Sequence, residues 1–271
     1  MQTMIKSIIC GLTACFILQN TAFAAHDPFR LLITTFDPFQ GRSQNNTQAI
    51  AAQIKQILPT QFGKAIDVRV CNLSVVYDLA ASQAMKCIDD YQPDAVVTLG
   101  EAYCDIRLET AATNSDNTPN LADNSGQIRN NRVITPGGPR RTGFMFPIAD
   151  LFCAFQPNNP PNTMVSHDPG YFVCNNTAYH LGEKLKVLNI PFTLIHVPNS
   201  QCSANQVDPK MNAKTITTML LPAIKDITLP GNNYPSMPTG QQEALYYINA
   251  LLNQHAPNCA ITFAKTLAGT Y

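Results

Sequence analysis

The stretch Ala95-Val96-Val97-Thr98-Leu99-Gly100 decides the fold, because it is an uninterrupted run typical of a strand that is covered on both faces. Two similar runs precede it, 31–36 and 68–71, and helical spacing fills the intervals over 47–58 and 76–91. Strand, helix, strand, helix, strand implies right-handed crossovers and parallel pairing. The sequence therefore predicts an α/β fold, a single domain in which helices cover both faces of a mostly parallel twisted sheet, an α/β/α sandwich.

The rest of the chain continues this pattern after one interruption. Residues 113–141 are rich in Asn, Asp, Gly and Pro, which predicts long excursions or a small hairpin beside the main sheet. The first helix is expected to stop before Pro59, since proline disrupts a helix interior. The later elements predicted from spacing are a helix over 147–155, a strand over 163–165, a helix over 174–188, a strand ending at 196, and helices near 210–227 and 240–254.

The first 24 residues have the pattern of a secretory signal peptide. Lys6 precedes an apolar run of 11 residues, Ile8 to Leu18, and Ala22-Phe23-Ala24 fits a small-residue cleavage site. A membrane anchor is the alternative, but a spanning helix needs roughly 20 residues. Residues 1–24 are therefore expected to be removed, leaving residues 25–271 as one exported domain, periplasmic or secreted, with no membrane attachment.

The composition of residues 25–271 narrows the class of function. Their 17 basic and 18 acidic residues give a net charge of −1, which offers no basic surface for nucleic acid or an anionic membrane. Seven cysteines remain, an odd number, and in an oxidising compartment this suggests one free thiol and up to three bridges of undetermined connectivity. Several buried free cysteines are the alternative. Because no C-x-x-C pair or Cys/His ligand spacing occurs, the sequence gives little support for a zinc site or a redox motif, and no metal is expected.

Cys174 is the candidate for the free thiol. A short apolar strand runs through a glycine-containing turn into the helical pattern that begins at Cys174, and unpaired N–H groups at a helix N-terminus favour a reactive thiolate. His196 ends the next apolar run, so a base would stand at the end of a neighbouring strand. This pattern predicts a cysteine peptidase, against the alternatives of a core cysteine and a turn histidine.

Four segments in order resemble the cysteine-type pyroglutamyl peptidases, also called pyrrolidone-carboxylate peptidases. The family's T-G-F-E-P-F-G-G is similar to residues 34–41, and its S-x-S/D-A-G-x-F-V-C-N is similar to residues 166–175. Its H-V-P matches residues 196–198, and its E-R-V-A-x-N followed by P-D-N-x-G resembles residues 109–114 and 122–126. The resemblance therefore covers the chain from about residue 31 to residue 198.

This resemblance implies removal of N-terminal pyroglutamate from a peptide by a triad, without a cofactor. Cys174 would be the nucleophile, His196 the general base and then acid, and Glu109 the carboxylate that orients the imidazole. Phe36 and Phe39 resemble the aromatic residues that pack against the flat lactam ring. Family members often form dimers or tetramers, so the resemblance leaves a homo-oligomer open.

The chain departs from the family around the substrate. Residues 100–106 stand where the family has G-x-A-G-G-R-T-D-I, but this segment is two residues shorter and lacks the family's arginine. Arg107 is a candidate to replace that arginine. Glu101 stands at the pocket wall where the family often has a neutral residue, and a carboxylate beside a lactam would need a hydrogen-bond donor. Cys104 and Cys202 both fall where they would rim the site, so a bridge between them is a hypothesis.

These departures leave two rival functions beside the pyroglutamyl peptidase. One is a related exported cysteine amidase or hydrolase that uses the same Cys174 and His196 on a different acyl group, which the altered 100–106 segment favours. The other is a catalytically silent protein of the same fold that captures peptide N-termini. The intact Cys174, His196 and Glu109 argue against the silent protein.

Overall fold

The computed structural model describes residues 28–155, 163–228, 236–237, 239–240 and 259. The predicted signal peptide, the predicted helix over 240–254 and the 257–271 tail therefore lie largely outside the described residues. Within the described ranges no helix combines the length and the apolar character needed to cross a membrane.

The secondary-structure elements are, in chain order, β1 (Phe29–Phe36), α1 (Asn46–Phe62), β2 (Ile66–Leu73), α2 (Leu79–Tyr91), β3 (Ala95–Glu101), β4 (Ile106–Glu109), β5 (Ala111–Thr113), β6 (Asp116–Thr118), β7 (Arg129–Arg132), β8 (Arg141–Gly143), α3 (Ile148–Phe155), β9 (Thr163–Ser166), α4 (Val173–Leu188), β10 (Phe192–Val197), α5 (Ala204–Val207) and α6 (Pro209–Ile227).

A six-stranded sheet in the order β2-β1-β3-β10-β4-β9 forms the centre of the fold. Every pairing in it is parallel except that of β4 with β10. Each βαβ crossover brings the chain back in the same direction, whereas β4 follows β3 after only four residues and runs the opposite way. Strand β9 pairs with β4 in parallel and so is reversed as well. The predicted mostly parallel sheet is confirmed, with two reversed strands, β4 and β9, that the sequence did not indicate.

Two apolar layers cover the faces of this sheet, as predicted. One core cluster joins the sheet to α1, α3 and α6, and includes Ile54, Leu151 and Leu220. The other joins it to α2 and α4, and includes Ala84 and Leu181. Since β1, β3 and β10 bury side chains on both faces, their sequences read as continuous apolar runs rather than as alternating ones.

Helix α1 runs further than the sequence indicated, so the expected stop before Pro59 is wrong. It begins after Asn45, whose side chain accepts a hydrogen bond from the Thr47 N–H, and it continues through Pro59 to Phe62. Pro59 is exposed, so the carbonyl that loses its intrahelical partner faces solvent and can bond to water. Residues 111–143 contain two small antiparallel ladders, β5 with β8 and β6 with β7, which agrees with the excursion beside the main sheet predicted for 113–141.

Candidate active site

Cys174 is the second residue of α4 and is partly buried. It is the free cysteine among the described residues, because the other six are joined as three disulfides. The N-cap residue of α4 is Phe172, whose side chain has no acceptor to offer the first turn, so backbone N–H groups at this terminus stay available beside the sulfur. The thiol therefore lies where an anion is stabilised by the helix.

His196 lies near the end of β10 and faces the same side of the sheet as α4. Its side chain is 1% exposed, and its Nδ1 lies 2.8 Å from Oε1 of Glu109, which is fully buried. The reversed strand explains this contact: Glu109 pairs with Leu194, two residues before His196 on the same face, and diagonal neighbours across two strands are within reach of long side chains. The contact with Glu109 directs Nε2 of the imidazole toward Cys174.

The electrostatics of His196 follow from these two partners. Burial lowers the pKa of the imidazole, but its hydrogen bonds with Cys174 and Glu109 outweigh burial and raise that pKa above its ordinary value. The second oxygen of Glu109, Oε2, is also buried and has no hydrogen-bond partner among the described residues. The carboxylate charge is therefore directed mainly at the imidazole, which favours an imidazolium beside the sulfur.

Gly100 supplies the space that this arrangement needs, a role the sequence analysis missed. It pairs with His196 in the sheet, and a β-carbon added to it would lie 2.7 Å from Cδ2 of His196 and 3.1 Å from Sγ of Cys174. Any larger residue would displace one of the two side chains. The signal available in the sequence was a glycine closing an otherwise continuous strand, which often marks a close approach.

The two predicted aromatic residues differ in position. Phe36 is 2% exposed and lies in the core between the sheet and the α2/α4 layer. Phe39 is partly exposed, and its ring centroid lies 4.8 Å from that of Phe172, the residue before α4. Phe172 in turn meets the ring of Tyr77 edge-on at 5.4 Å. Phe39 and Phe172 thus form an aromatic surface, and Phe172 precedes Cys174 by two residues in the chain.

Glu101 ends β3, and its carboxylate has several partners within the protein. Arg42 forms an ion pair with Oε2 at 2.9 Å, while the backbone N–H groups of Asn46 and Ser200 donate to Oε1. These donors are the compensation that a nearly buried carboxylate requires. Arg107, the candidate replacement for the missing arginine, binds Asp105 at 2.8 Å and so is held within its own segment.

The two residues after Cys174 fasten the start of α4. The Asn175 side chain accepts from the Thr113 N–H and donates to the carbonyls of Thr113 and Ser115. The Asn176 side chain donates to Asp78 and to the buried Asp116. The excursion carrying β5 and β6 therefore supports the helix that carries the thiol.

Three disulfides account for the other cysteines. Cys104 is joined to Cys202, which is the pairing hypothesised from the sequence. Cys71 with Cys87 and Cys153 with Cys259 are the other two pairs. Across the described ranges, no three His, Cys, Asp or Glu side chains are grouped so as to hold a metal ion.

A model of the pyroglutamyl peptidase family matches residues 29–229. The chain belongs to the pyroglutamyl peptidase family. The pyrrolidone-carboxylate peptidase of Pectobacterium atrosepticum is 30% identical over 203 residues, which are 73% of this chain and 92% of that protein. The protein of the same name from Klebsiella pneumoniae is 31% identical over 199 residues, 72% of this chain and 90% of that protein.

Solved structures of family members share the fold. The pyroglutamyl peptidase I of Bacillus amyloliquefaciens matches with a TM-score of 0.65 at 22% identity, over 73% of this chain and 98% of that one. A mutant pyrrolidone carboxyl peptidase from Pyrococcus furiosus matches with a TM-score of 0.64 at 22% identity, over 73% of this chain and 99% of that one. The predicted family, fold class and enzyme class, a cysteine peptidase of the pyroglutamyl type, are confirmed.

Proposed function

We propose that this protein removes N-terminal pyroglutamate from peptides, with Cys174 as nucleophile, His196 as general base and acid, and Glu109 as the orienting carboxylate. The observation that carries the proposal is the buried His196, held 2.8 Å from Glu109 and hydrogen-bonded to the free Cys174. Each of the three side chains comes from a different element, so their meeting is a property of the fold and not of one local motif.

Acylation begins with a thiolate and an imidazolium. The sulfur of Cys174 attacks the carbonyl carbon of the pyroglutamyl residue, and the carbonyl π electrons move to its oxygen. Backbone N–H groups at the start of α4, that of Cys174 among them, are suited to receive this oxyanion. When the C–N bond breaks, the imidazolium gives its proton to the leaving amine, and a thioester remains on Cys174.

Deacylation uses the same groups in reverse. The imidazole of His196, now neutral, takes a proton from water while the water oxygen attacks the thioester carbon. The collapse of that intermediate releases pyroglutamate and restores the thiolate beside the imidazolium. Throughout both steps Glu109 keeps the proton on Nδ1 and stabilises the positive ring.

The acyl group would lie on the aromatic surface of Phe39 and Phe172. A lactam ring is flat and carries no charge, so aromatic faces with a few polar groups suit it. Phe36, in the core below, supports this surface rather than lining it. Glu101 would form part of the wall of this pocket, and its pairing with Arg42 would make it a fixed polar edge.

Turnover of fluorogenic amides tests this proposal. The protein, with Cys174 kept reduced, should hydrolyse a pyroglutamyl amide and leave prolyl and alanyl amides intact, and Cys174→Ala should abolish turnover. The matched control is the Cys71→Ser/Cys87→Ser double variant, which removes the disulfide between β2 and α2 and should keep activity. Turnover that survives in Cys174→Ala, or a wild type that cleaves no amide, would overturn the proposal.

The second candidate is an amidase of the same chemistry with another acyl preference. The observation that favours it is the charged pair of Glu101 and Arg42 at the pocket wall, together with the altered segment after Gly100. In the same amide panel, cleavage of an acyl group other than pyroglutamyl that is lost in Cys174→Ala would favour this candidate.

Export is also proposed, with residues 1–24 as a cleaved signal peptide and a periplasmic or secreted location for the remainder. The three disulfides support an oxidising compartment, since such bonds rarely persist in a reducing cytosol. Intact mass of the protein from fractionated cells tests this: loss of the first 24 residues is expected, and a full-length cytosolic species would contradict it. Self-association stays a prediction that sedimentation can test.

A further inference from the structure

The short segment 102–105 crosses directly over the end of the strand that carries His196. Strands β3 and β4 lie on opposite sides of β10, so the chain that links them must pass over the carboxyl end of β10. His196 is the next-to-last residue of that strand, and the Ala102 N–H donates to the Val197 carbonyl as the crossing begins. We call residues 102–105 the crossover loop.

The crossover loop is fastened to the segment that follows β10. Its Cys104 is joined by a disulfide to Cys202, and the Cys104 carbonyl accepts a hydrogen bond from the Gln206 side chain. The Tyr103 carbonyl accepts two hydrogen bonds from Asn199, one from its backbone N–H and one from its side chain. The disulfide and these hydrogen bonds therefore fix the backbone of the crossover loop above His196.

Tyr103 occupies the centre of this loop, and its ring packs against the histidine. The ring centroids of Tyr103 and His196 lie 6.1 Å apart at an interplanar angle of 82°. The Arg107 guanidinium lies 3.3 Å from the centroid of the Tyr103 ring, and Asp105 holds that guanidinium through two hydrogen bonds. Tyr103 itself is 41% exposed, whereas His196 beneath it is 1% exposed.

We propose that Tyr103 is a positioning residue for the general base, and that the Cys104–Cys202 disulfide holds it against His196 and keeps water from the imidazole. This inference rests on the proposed function of the Cys174 and His196 pair. The enzyme then needs two opposite redox states at once, a reduced Cys174 for chemistry and an oxidised Cys104–Cys202 pair for geometry.

Tyr103 should matter to His196 because the interactions of the imidazole with Cys174 and Glu109 are stronger when water is excluded. Its raised pKa depends on Cys174 and Glu109, and water admitted beside the ring would screen both partners. Loss of the Tyr103 ring should therefore move the pKa of His196 down toward its ordinary value. The other charged or titratable groups facing this corner are Asp105 in the crossover loop, Arg107 in β4, and His167 and Asp168 in the segment before α4.

Two measurements test the proposal on reduced Cys174 with the disulfides intact. The first is the pH profile of kcat/KM on the pyroglutamyl amide, and the second is an NMR titration of the His196 ring, which needs no substrate. Tyr103→Ala should lower kcat/KM by about tenfold to 100-fold and move the alkaline limb and the His196 titration to lower pH by about one unit. Tyr103→Phe keeps the ring and should match the wild type.

The disulfide is tested by Cys104→Ser/Cys202→Ser against the matched Cys71→Ser/Cys87→Ser. The first double variant should move the pH profile in the same direction as Tyr103→Ala, whereas the second should lower thermal stability alone. A wild-type profile and a wild-type His196 titration in Tyr103→Ala would overturn the proposal, as would a Tyr103→Phe variant as impaired as Tyr103→Ala. A wild-type profile in Cys104→Ser/Cys202→Ser would overturn the role of the disulfide.

These outcomes are separable from failure of the proposed function. If the wild type cleaves no pyroglutamyl amide, the proposed function fails, while the NMR titration still reports whether Tyr103 controls the imidazole. If the Cys104→Ser/Cys202→Ser variant does not fold, Tyr103→Ala and Tyr103→Phe decide the positioning role, because neither removes a covalent bond.

Discussion

Replacing Gly100 with alanine tests the geometry of the site with a single methyl group. Gly100 lies in β3 beside His196, and the added β-carbon would lie 2.7 Å from Cδ2 and 2.9 Å from Nε2 of that ring, and 3.1 Å from the Cys174 sulfur. The φ angle of Gly100 is outside the left-handed region, so alanine can adopt its backbone conformation. The substitution therefore acts through contact with the catalytic pair and not through backbone strain.

The expected size of the effect follows from these distances. Ordinary contact begins near 3.4 Å, so the imidazole must move by at least about 0.7 Å to admit the methyl group. Because a misplacement of about 1 Å in a catalytic group costs about 100-fold, kcat/KM should fall by about 30-fold to 100-fold, or about 2–2.7 kcal/mol of transition-state stabilisation. Stability should also fall, because overpacking a filled site costs about 1–3 kcal/mol, against the about 0.4–1 kcal/mol by which Gly to Ala at a permitted conformation favours folding.

The assay is kcat/KM on the pyroglutamyl amide together with a thermal melt. Gly182→Ala is the matched control, because the atoms nearest its added β-carbon belong to Thr142, at 3.0 Å, and Phe144, at 3.3 Å, and not to the catalytic pair. That control should change stability without changing kcat/KM per folded molecule. A Gly100→Ala enzyme with wild-type kcat/KM would refute the close approach of His196 and Cys174 to this strand.

Three further predictions concern charge. Glu109→Gln should lower kcat/KM by roughly 10³-fold to 10⁴-fold and move its alkaline limb to lower pH, since the imidazolium loses its buried partner. Arg129→Met should lower the free energy of unfolding by about 3–5 kcal/mol in denaturant titrations, because the fully buried Asp116, paired with Arg129 at 2.7 Å, loses its opposite charge and keeps only the hydrogen bond from Asn176. Burial and the nearby Asp226 raise the pKa of Asp150 to about 6, so the folded state loses stability as pH rises from about 4 to 6, and Asp150→Asn should raise the melting temperature more at pH 8 than at pH 4.

Two residues with at least partly exposed side chains provide the controls for the first two of these predictions. Glu183→Gln, a partly exposed glutamate further along α4, should leave kcat/KM and its pH profile unchanged. Lys86→Met breaks an exposed ion pair with Asp90 and should change the unfolding free energy by no more than about 0.5 kcal/mol. A wild-type pH profile in Glu109→Gln would contradict the role of the carboxylate. The argument for Asp116 fails if Arg129→Met loses no more unfolding free energy than Lys86→Met. The argument for Asp150 fails if the change in melting temperature in Asp150→Asn does not depend on pH.

Much of the fold was readable from the sequence because the central strands are buried on both faces. The apolar side chains at 31–36, 95–100 and 192–196 can be buried on both faces only if helices cover the sheet on both sides. The helical spacing between these runs indicated crossover connections and therefore parallel strands. The reversal of β4 and β9 was not readable, since a four-residue strand carries no signal of direction. Pro59 misled the prediction because its position on an exposed helix face is a property of the packed structure.

The site divides in the same way. Cys174 and His196 were readable from their places at the ends of apolar runs, and Glu109 from the family motif. Gly100 and Tyr103 were not, because their importance depends on which strands become neighbours, and the 100–106 segment resembles the family least. The pairing of Cys71 with Cys87 was equally hidden, because six cysteines allow many connectivities and spacing alone does not select one.

The proposed mechanism requires that Cys174 attack a pyroglutamyl carbonyl with the help of His196. Covalent trapping tests this step most directly: the protein is treated with a pyroglutamyl chloromethyl ketone or with its prolyl analogue, and peptide mass spectrometry identifies the labelled residue. We expect one equivalent of label on Cys174 from the pyroglutamyl reagent, little from the prolyl analogue, and strongly slowed labelling in His196→Ala. Label on another residue, or equal labelling by the two reagents, would contradict it.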